Sequence, residues 1–419
     1  MTRSRATLGL VAGLVLLAAG CADRARRSAV PVTIVGIDGG AWRVIDPLLA
    51  RGELPNLARL IAGGVRGPLR SELPLISPPV WTSIATGVSR QRHGILDFNA
   101  PGRIVMSLDR RVPALWTLAS AAGLRSAVIG WWATYPAEAI DGVMVSERAL
   151  KLREEDLGLV LGDRRGEAKL GNLVYPPDVL PKLEDILATP SPEEGPLAVA
   201  ARMRTEDSSV VRALLRLRQT MGPFALELAL MRGVDVVSHH YWRFHEPAAA
   251  AYAAGERPTP DEIQAYGRVI SDHYRFVDEL LGQVAQPSPE HVVLVLSDHG
   301  FEAGHQPFGK GTVSGTHKSE AALEGILVAA GGPLLGGHRV DGASILDVAP
   351  TVLHLLGLPL PAGVEGHVLS AAFDAGWLAE NPVRSGPAFA GLPVTAPPAS
   401  GRDLEERLHD ELRALGYVE

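Results

Sequence analysis

Six acidic and imidazole side chains stand where metal ions can use them. Asp38 closes the β-branched run VPVTIVGI (30–37), and Asp298 with His299 closes a second apolar run, HVVLVLSDHG (291–300). Asp235 and His239, in GVDVVSHHYWRF, are four apart and share one face of a helical turn. His317 follows in GTHKSE. Divided between two ions, this set gives each a mixed histidine and carboxylate environment, which zinc accepts without thiolates. Thiolates are scarce in any case, because Cys21 is the single cysteine. Harder Mn²⁺ also suits the carboxylates. A hydroxyl near both ions would lose its proton readily and become a nucleophile at neutral pH.

Two hydroxyls are candidates for that role, Ser77 and Thr82, both in LPLISPPVWTSIATGVSRQRHGILDF (73–98). Pro78 and Pro79 suit the first turn of a helix. Ser77 then sits at the N-terminal end, where backbone N–H groups attract a phosphate. Thr82 falls inside the helix, where its hydroxyl bonds the preceding turn.

Singly, each residue has an ordinary role. Asp38 can cap the following helix, Asp235 and His239 can be an exposed helical pair, and His317 can be a loop histidine. Only the combination points to a metal site. His240 and His245 read as structural or surface residues. GHQPFGKG (304–311) approaches a phosphate-binding loop, but Gly311 replaces the required hydroxyl residue and no strand leads into it, so the match is chance. Trp131, Trp132 and Tyr135 follow a strand and either line a substrate cleft or pack in the core.

The elements that must position these residues follow from the apolar patterning. With 419 residues and 46% hydrophobic content, the chain is long enough for one large domain or two ordinary ones. The runs at 30–37, 126–132, 291–300 and 325–332 read as buried strands, alternating with helical stretches. This is an α/β fold with a mostly parallel sheet. Functional residues in such sheets gather beyond the carboxyl ends of the strands, where Asp38 and Asp298 stand. Residues 150–232 are charged and proline-punctuated, then helical through SSVVRALLRLRQT, and read as an inserted cap or peripheral helices. From 371 to 419 the chain reads as a Pro/Gly-rich tail ending in a short amphipathic helix at 402–415.

The N-terminus reads as an export signal. Arg3 and Arg5 precede an apolar stretch at 6–20, which is shorter than the roughly 20 residues a spanning helix needs. LAAGC (17–21) resembles a bacterial lipoprotein box, with Leu17 one place further upstream than usual. It implies a leader at 1–20, lipidation of Cys21, a linker at 21–30 and a body held at a membrane outside the cytoplasm. Forty basic against 47 acidic side chains, net −7, do not describe a nucleic-acid binder.

Together, IDGG, SPPVWTSIATG…HGILDF, DVVSHHYWRF, LSDHGF, THKSE…GILVAAGGP and DVAPTVLHLLGLPLP resemble the alkaline phosphatase superfamily, in its type I phosphodiesterase/nucleotide pyrophosphatase branch. The resemblance implies a three-layer sandwich with a mostly parallel central sheet flanked by helices, spanning 31–370. It implies one zinc on Asp235, His239 and His317, and a second on Asp38, Asp298 and His299. The nucleophile falls nine residues before Thr86, which selects Ser77 over Thr82 as nucleophile and metal contact. One departure concerns the Asn that relatives place after their HG pair to hold a phosphate oxygen: Phe98 takes that place and Asn99 follows it. The implied activity is di-metal hydrolysis of a small phosphate ester through a phosphoserine, with a diester favoured. Arg90, Arg92, Lys310 and Lys318 are the cations that folding could bring to the phosphate. The sulfatase relatives need an Arg where Trp81 stands, and a non-catalytic envelope protein would not need the complete ligand set.

Overall fold

The computed structural model describes residues 29–101, 103–151, 173–187, 194–308 and 311–388. The 6–20 stretch, Cys21, Lys310 and the helix expected at 402–415 lie outside the described residues. Among those described, no helix is long and apolar enough to cross a membrane.

The sheet is built on β1 (Val32–Ile37), a β-branched strand buried along its whole length. It lies between β6 (Leu226–Met231) and β7 (Val292–Leu296), parallel to both. β3 (Ser126–Ile129) and β4 (Gly142–Val145) continue the parallel pairing beyond β6, and β5 (Val174–Tyr175) ends that side antiparallel. On the other side β10 (Glu324–Ala330) runs antiparallel to both β7 and β2 (Gly64–Arg70). β11 (His338–Arg339) and β12 (Ala343–Ser344) pair parallel with β2. The ten-stranded sheet is thus mostly parallel, with spatial order β11-β2-β10-β7-β1-β6-β3-β4-β5 and β12 also on β2. A separate hairpin, β8 (Glu302–Phe308) and β9 (Gly311–Thr316), lies outside it.

Alternate residues along the strands feed two cores, as the period of two requires. Val35, Ile37, Ala229, Met231, Val293 and Val295 face one apolar cluster. Val32, Ile34, Leu228, Leu230, Leu294 and Leu296 face the other. The first is covered by α1 (Trp42–Ala50), α2 (Pro55–Ala62), α4 (Ala198–Met221), α5 (Gly233–His245) and α6 (Val269–Val284). The second is covered by α3 (Ser77–Thr86) and α7 (Val348–Leu355). Three layers result.

The structure corrects several boundaries. The stretch 150–232 is not wholly a cap, because its last residues form β6 beside β1 and α4 packs on the sheet. That stretch hides its strand: LELALM carries no β-branched residue, so propensity does not announce it. The tail reading from 371 also starts too early. Ala375–Glu380 is helical and Ser385–Ala388 pairs with Leu360–Ala362. The strand read at 126–132 stops at Ile129, leaving Trp131 and Trp132 in the turn that follows. Within GHQPFGKG, residues 304–308 lie on β8 and Gly311 opens β9, so a strand rather than a helix follows.

Candidate metal centre

Three adjacent parallel strands, β7, β1 and β6, end side by side, and the segments leaving their carboxyl ends carry five of the six expected ligands. Asp38 follows β1, with its N–H bonded to Met231 O at 2.9 Å. Asp298 and His299 follow β7. Asp235 and His239 stand on the first turns of α5, which leaves β6 after one residue. The start of α5 is tied down from α4, where Asp207 Oδ1 accepts from Arg232 N (3.0 Å) and Gly233 N (3.2 Å). The other Asp207 oxygen lies 3.1 Å from His273 Nε2. The sixth residue, His317, arrives from the end of β9.

All six are buried. Asp235 Oδ1 lies 3.4 Å from His239 Nε2 and 3.6 Å from His317 Nε2. His299 Nε2 lies 3.5 Å from Asp38 Oδ1 and 3.4 Å from Asp298 Oδ2. The His299 and His317 rings stack with centroids 4.0 Å apart. Gly39 makes this approach possible at the end of β1: its φ is +71°, and a Cβ there would lie 2.9 Å from Asp235 Cα. Its N–H donates to Asp298 Oδ1 at 3.2 Å.

The hydrogen bonds outside the cluster assign the imidazole tautomers. His239 Nδ1 is 2.8 Å from Gly315 O and His299 Nδ1 is 2.9 Å from Gly300 O, so each Nδ1 holds the proton and donates it. Each Nε2 then turns a lone pair inward, where carboxylate oxygens also present lone pairs. Asp298 Oδ2 and His299 Nε2 are buried and make no hydrogen bond. Facing acceptors are costly in a buried site and are relieved by a bound cation or by a proton on one carboxyl. Burial keeps the imidazoles neutral, with His239 lowered to about 3 and His317 well below the usual value. Burial, with Asp38 and Asp235 nearby, raises Asp298 well above the usual carboxylate range.

The residues fit divalent ions. One compact group is Asp235, His239 and His317, and another is Asp38, Asp235 and His299. Within each, the ligand atoms lie within 4.8 Å of one another. Asp235 belongs to both groups, which its place in a single motif did not reveal. Asp298 reaches the second group through its contact with His299.

Ser77 is the first residue of α3, and its Oγ lies 3.5 Å from Asp38 Oδ1. Thr82 Oγ donates to Pro78 O at 2.7 Å, the back-bonded state expected of it. The helix start differs from the expectation in one respect. Pro78 and Pro79 have no N–H, and Val80 N already donates to Ile76 O at 3.1 Å, so the first turn offers a phosphate few backbone donors.

Asn99 is exposed on a two-residue strand, whereas Phe98 is buried edge-on to Trp132, ring centroids 5.4 Å apart. Among the candidate cations, Arg90 donates to Glu72 O and Pro74 O, and Arg92 pairs with Glu365 at 3.3 Å. Both are engaged in the loops beside α3, and Lys318 is exposed next to His317. His305 pairs with Glu256 at 3.1 Å, apart from the cluster. Trp131 and Trp132 do not form an open cleft, being 0% and 4% exposed. Trp131 Nε1 donates to Trp81 O (3.0 Å) and Trp132 Nε1 to Asp38 Oδ2 (3.0 Å). Sequence reasoning missed this carboxylate contact and that of Trp81, although Trp81 lies one helical turn from Ser77. Nothing in the sequence marks Asp207.

The mostly parallel α/β sheet, with a buried Asp/His group and a serine at its carboxyl edge, is an alkaline-phosphatase-like fold. The Type I phosphodiesterase / nucleotide pyrophosphatase family matches residues 32–336, and the chain belongs to that family. It is a phosphodiesterase/nucleotide pyrophosphatase-like hydrolase of phosphate esters. No curated protein matches it by sequence. Among solved structures, a sulfatase candidate from Bacteroides thetaiotaomicron is 13% identical, with TM-score 0.50, over 82% of this chain and 74% of that one. Human ectonucleotide pyrophosphatase / phosphodiesterase 5 is 12% identical, with TM-score 0.46, over 78% of this chain and 95% of that one.

Proposed function

We infer that the protein hydrolyses phosphodiesters with Ser77 as nucleophile and two divalent cations, zinc in the first place with Mn²⁺ as the alternative. The observation that carries this reading is the buried set of acceptors facing one another at 3.4–3.6 Å beside Ser77. Asp235, His239 and His317 would hold one ion, and Asp38, Asp298 and His299 the other, with Asp235 within reach of both. When bound, the ions supply positive charge that lowers the pKa of the Ser77 hydroxyl and offsets the charge developing on the phosphoryl oxygens.

Ser77 Oγ attacks phosphorus; the Oγ–P bond forms as the first ester P–O bond breaks, and the leaving alcohol takes a proton. Water then attacks phosphorus, the Oγ–P bond breaks, and Ser77 recovers its proton. Burial excludes competing solvent from Asp38, Asp235 and Asp298. Asn99 is exposed, and the scheme assigns it no chemical step.

The diester preference rests on charge. The segment 73–85 contains no Lys or Arg, and Arg90 and Arg92 are engaged elsewhere. With few backbone donors at the start of α3, the metal cations and the exposed Lys318 beside His317 are left to offset a monoester dianion, whereas a diester carries one charge. Hydrolysis of matched aryl monoester and alkyl aryl diester substrates, compared by kcat/KM, tests this. A monoester preference would make the protein a phosphatase instead. The leader and Cys21 further support a lipid-anchored protein of the cell envelope. Lipid labelling that persists in Cys21→Ser would reject that anchor.

A further inference from the structure

The Asp38 carboxylate has two oxygens in different surroundings. Oδ1 looks into the cluster, toward His299 Nε2 and Ser77 Oγ, each at 3.5 Å. Oδ2 accepts two indole N–H groups, Trp81 Nε1 at 3.2 Å and Trp132 Nε1 at 3.0 Å. We propose that Trp81 and Trp132 are positioning residues of the metal centre, engaging one oxygen of Asp38 so that the other is offered to the cation and to Ser77.

The fold is built to bring these two indoles to Asp38. Trp81 stands on α3 one turn after Ser77, so one helix carries both the hydroxyl and an N–H that orients its neighbour. Its ring crosses β1 at Gly36, where a Cβ would lie 2.7 Å from the indole; any larger residue would push the N–H away from Asp38. Trp131 locks this arrangement from the other side, edge-on to Trp81 at 4.9 Å with its own N–H on Trp81 O.

Trp132 comes from the turn after β3, and the Arg232 guanidinium lies over its ring, 5.0 Å from the centroid. A cation above the face draws electron density from the indole and makes its N–H a stronger donor. Arg232 is itself paired with Glu206 at 2.5 Å and immediately precedes α5, the helix of Asp235 and His239. The indole that orients Asp38 is therefore packed against the residue that introduces the other ligands.

The physical consequence is directional. An indole N–H donates only, so it can engage a carboxylate oxygen without competing for metal. Two such donors on Oδ2 disfavour bidentate chelation by Asp38. They also hold Oδ1 still while the proton leaves Ser77. Outer hydrogen bonds of this kind typically account for about 10–100-fold in metal affinity.

The inference rests on the metal reading above, and its test is arranged to separate the two. Zinc affinity is measured by chelator competition on the native full chain and on Trp81→Phe, Trp132→Phe and Trp116→Phe. Trp116 is the control: it is equally buried, and its Nε1 donates to Glu138 at 3.1 Å, a carboxylate outside the cluster. Trp81→Phe and Trp132→Phe should each weaken zinc binding by about 10–100-fold, while Trp116→Phe stays within about twofold of native. Unchanged affinity in both cluster variants overturns the proposal, as does an equal loss in the control. A native chain that binds no zinc overturns the metal reading itself. Should the variants fail to fold, the ¹⁵N-labelled native protein supplies the answer, since zinc addition should shift indole N–H resonances. An indole region unchanged on saturation with zinc would overturn the proposal.

Discussion

Strands β1, β6 and β7 carry polar groups at both ends, and the two ends are solved differently. At the amino ends, Thr33 donates to Glu227 Oε2 at 2.5 Å, and Arg218 holds both Glu227 oxygens, at 3.0 and 2.6 Å. The third Arg218 nitrogen donates to Val284 O at 3.1 Å, and His291 meets Thr33 at 2.8 Å. Donors and acceptors are matched, and the knot is complete within the protein. At the carboxyl ends, carboxylates and imidazole lone pairs face one another, and Asp298 Oδ2 and His299 Nε2 make no hydrogen bond. The same strands thus end in a closed hydrogen-bond network on one side and in facing acceptors on the other.

The largest expected effect is on turnover. Ser77→Ala should lower kcat by at least about 10³-fold, with circular dichroism and bound metal close to native. Substantial remaining activity would move the nucleophile elsewhere, first to Thr82.

Stability should respond oppositely at the two ends. Stripping metal with a chelator should lower Tm, and zinc at about 100 times its Kd should restore about 2.7 kcal/mol. Elemental analysis of the purified protein should find about two ions per chain, from the two ligand groups. No bound metal, together with no response to added zinc or manganese, would remove the distinction between the ends.

Glu227→Gln should destabilise the protein by about 1–3 kcal/mol whether or not metal is present, because Arg218 loses its carboxylate partner; the partial exposure of Arg218 holds the loss below that of a fully buried pair. Asp298→Asn should do the reverse in the metal-free protein. At a pH where the Asp298 carboxyl is ionised, the new amide N–H faces His299 Nε2 and turns an acceptor-acceptor contact into a hydrogen bond, adding about 1 kcal/mol; where burial keeps Asp298 protonated, that gain disappears. With zinc present that advantage should vanish, because a ligand is lost. Urea melts of both variants, with and without zinc, would read the crossing directly; parallel shifts at both ends would refute the comparison.

The smallest effect belongs to Thr82→Ala. Its hydroxyl is spent on Pro78 O, so kcat/KM should stay within a few-fold of native.

The difference between the ends also explains what was legible in the sequence. Asp38, Asp298 and His299 were readable because β-branched runs announce the strands that precede them, and Asp235 and His239 because a helix aligns residues four apart. The satisfied network was not readable: Thr33, Arg218, Glu227 and His291 meet only when β1, α4, β6 and β7 are already packed. The indole contacts to Asp38 share that dependence, since an apolar helix containing Trp81 looks like core until its N–H direction is known. β6 itself was missed because LELALM reads as readily as helix. The scarcity of donors at the start of α3 is the opposite case, written in the sequence itself, since neither Pro78 nor Pro79 carries an N–H.

The spatial order β7-β1-β6-β3 has a consequence for how the molecule comes into being. β6 lies between β1 and β3 but is made after both, so the chain must leave or open a gap for it, and β7 must then close on the far side of β1. Asp38, Asp235 and Asp298 are far apart in sequence and meet only after these long-range pairings form, which makes the centre a late product of folding. A chain still lacking β7 has no Asp298 or His299 to offer, so its early strands cannot gather the full ligand set prematurely. A metal held by all six residues would therefore require β1, β6 and β7 to be paired already.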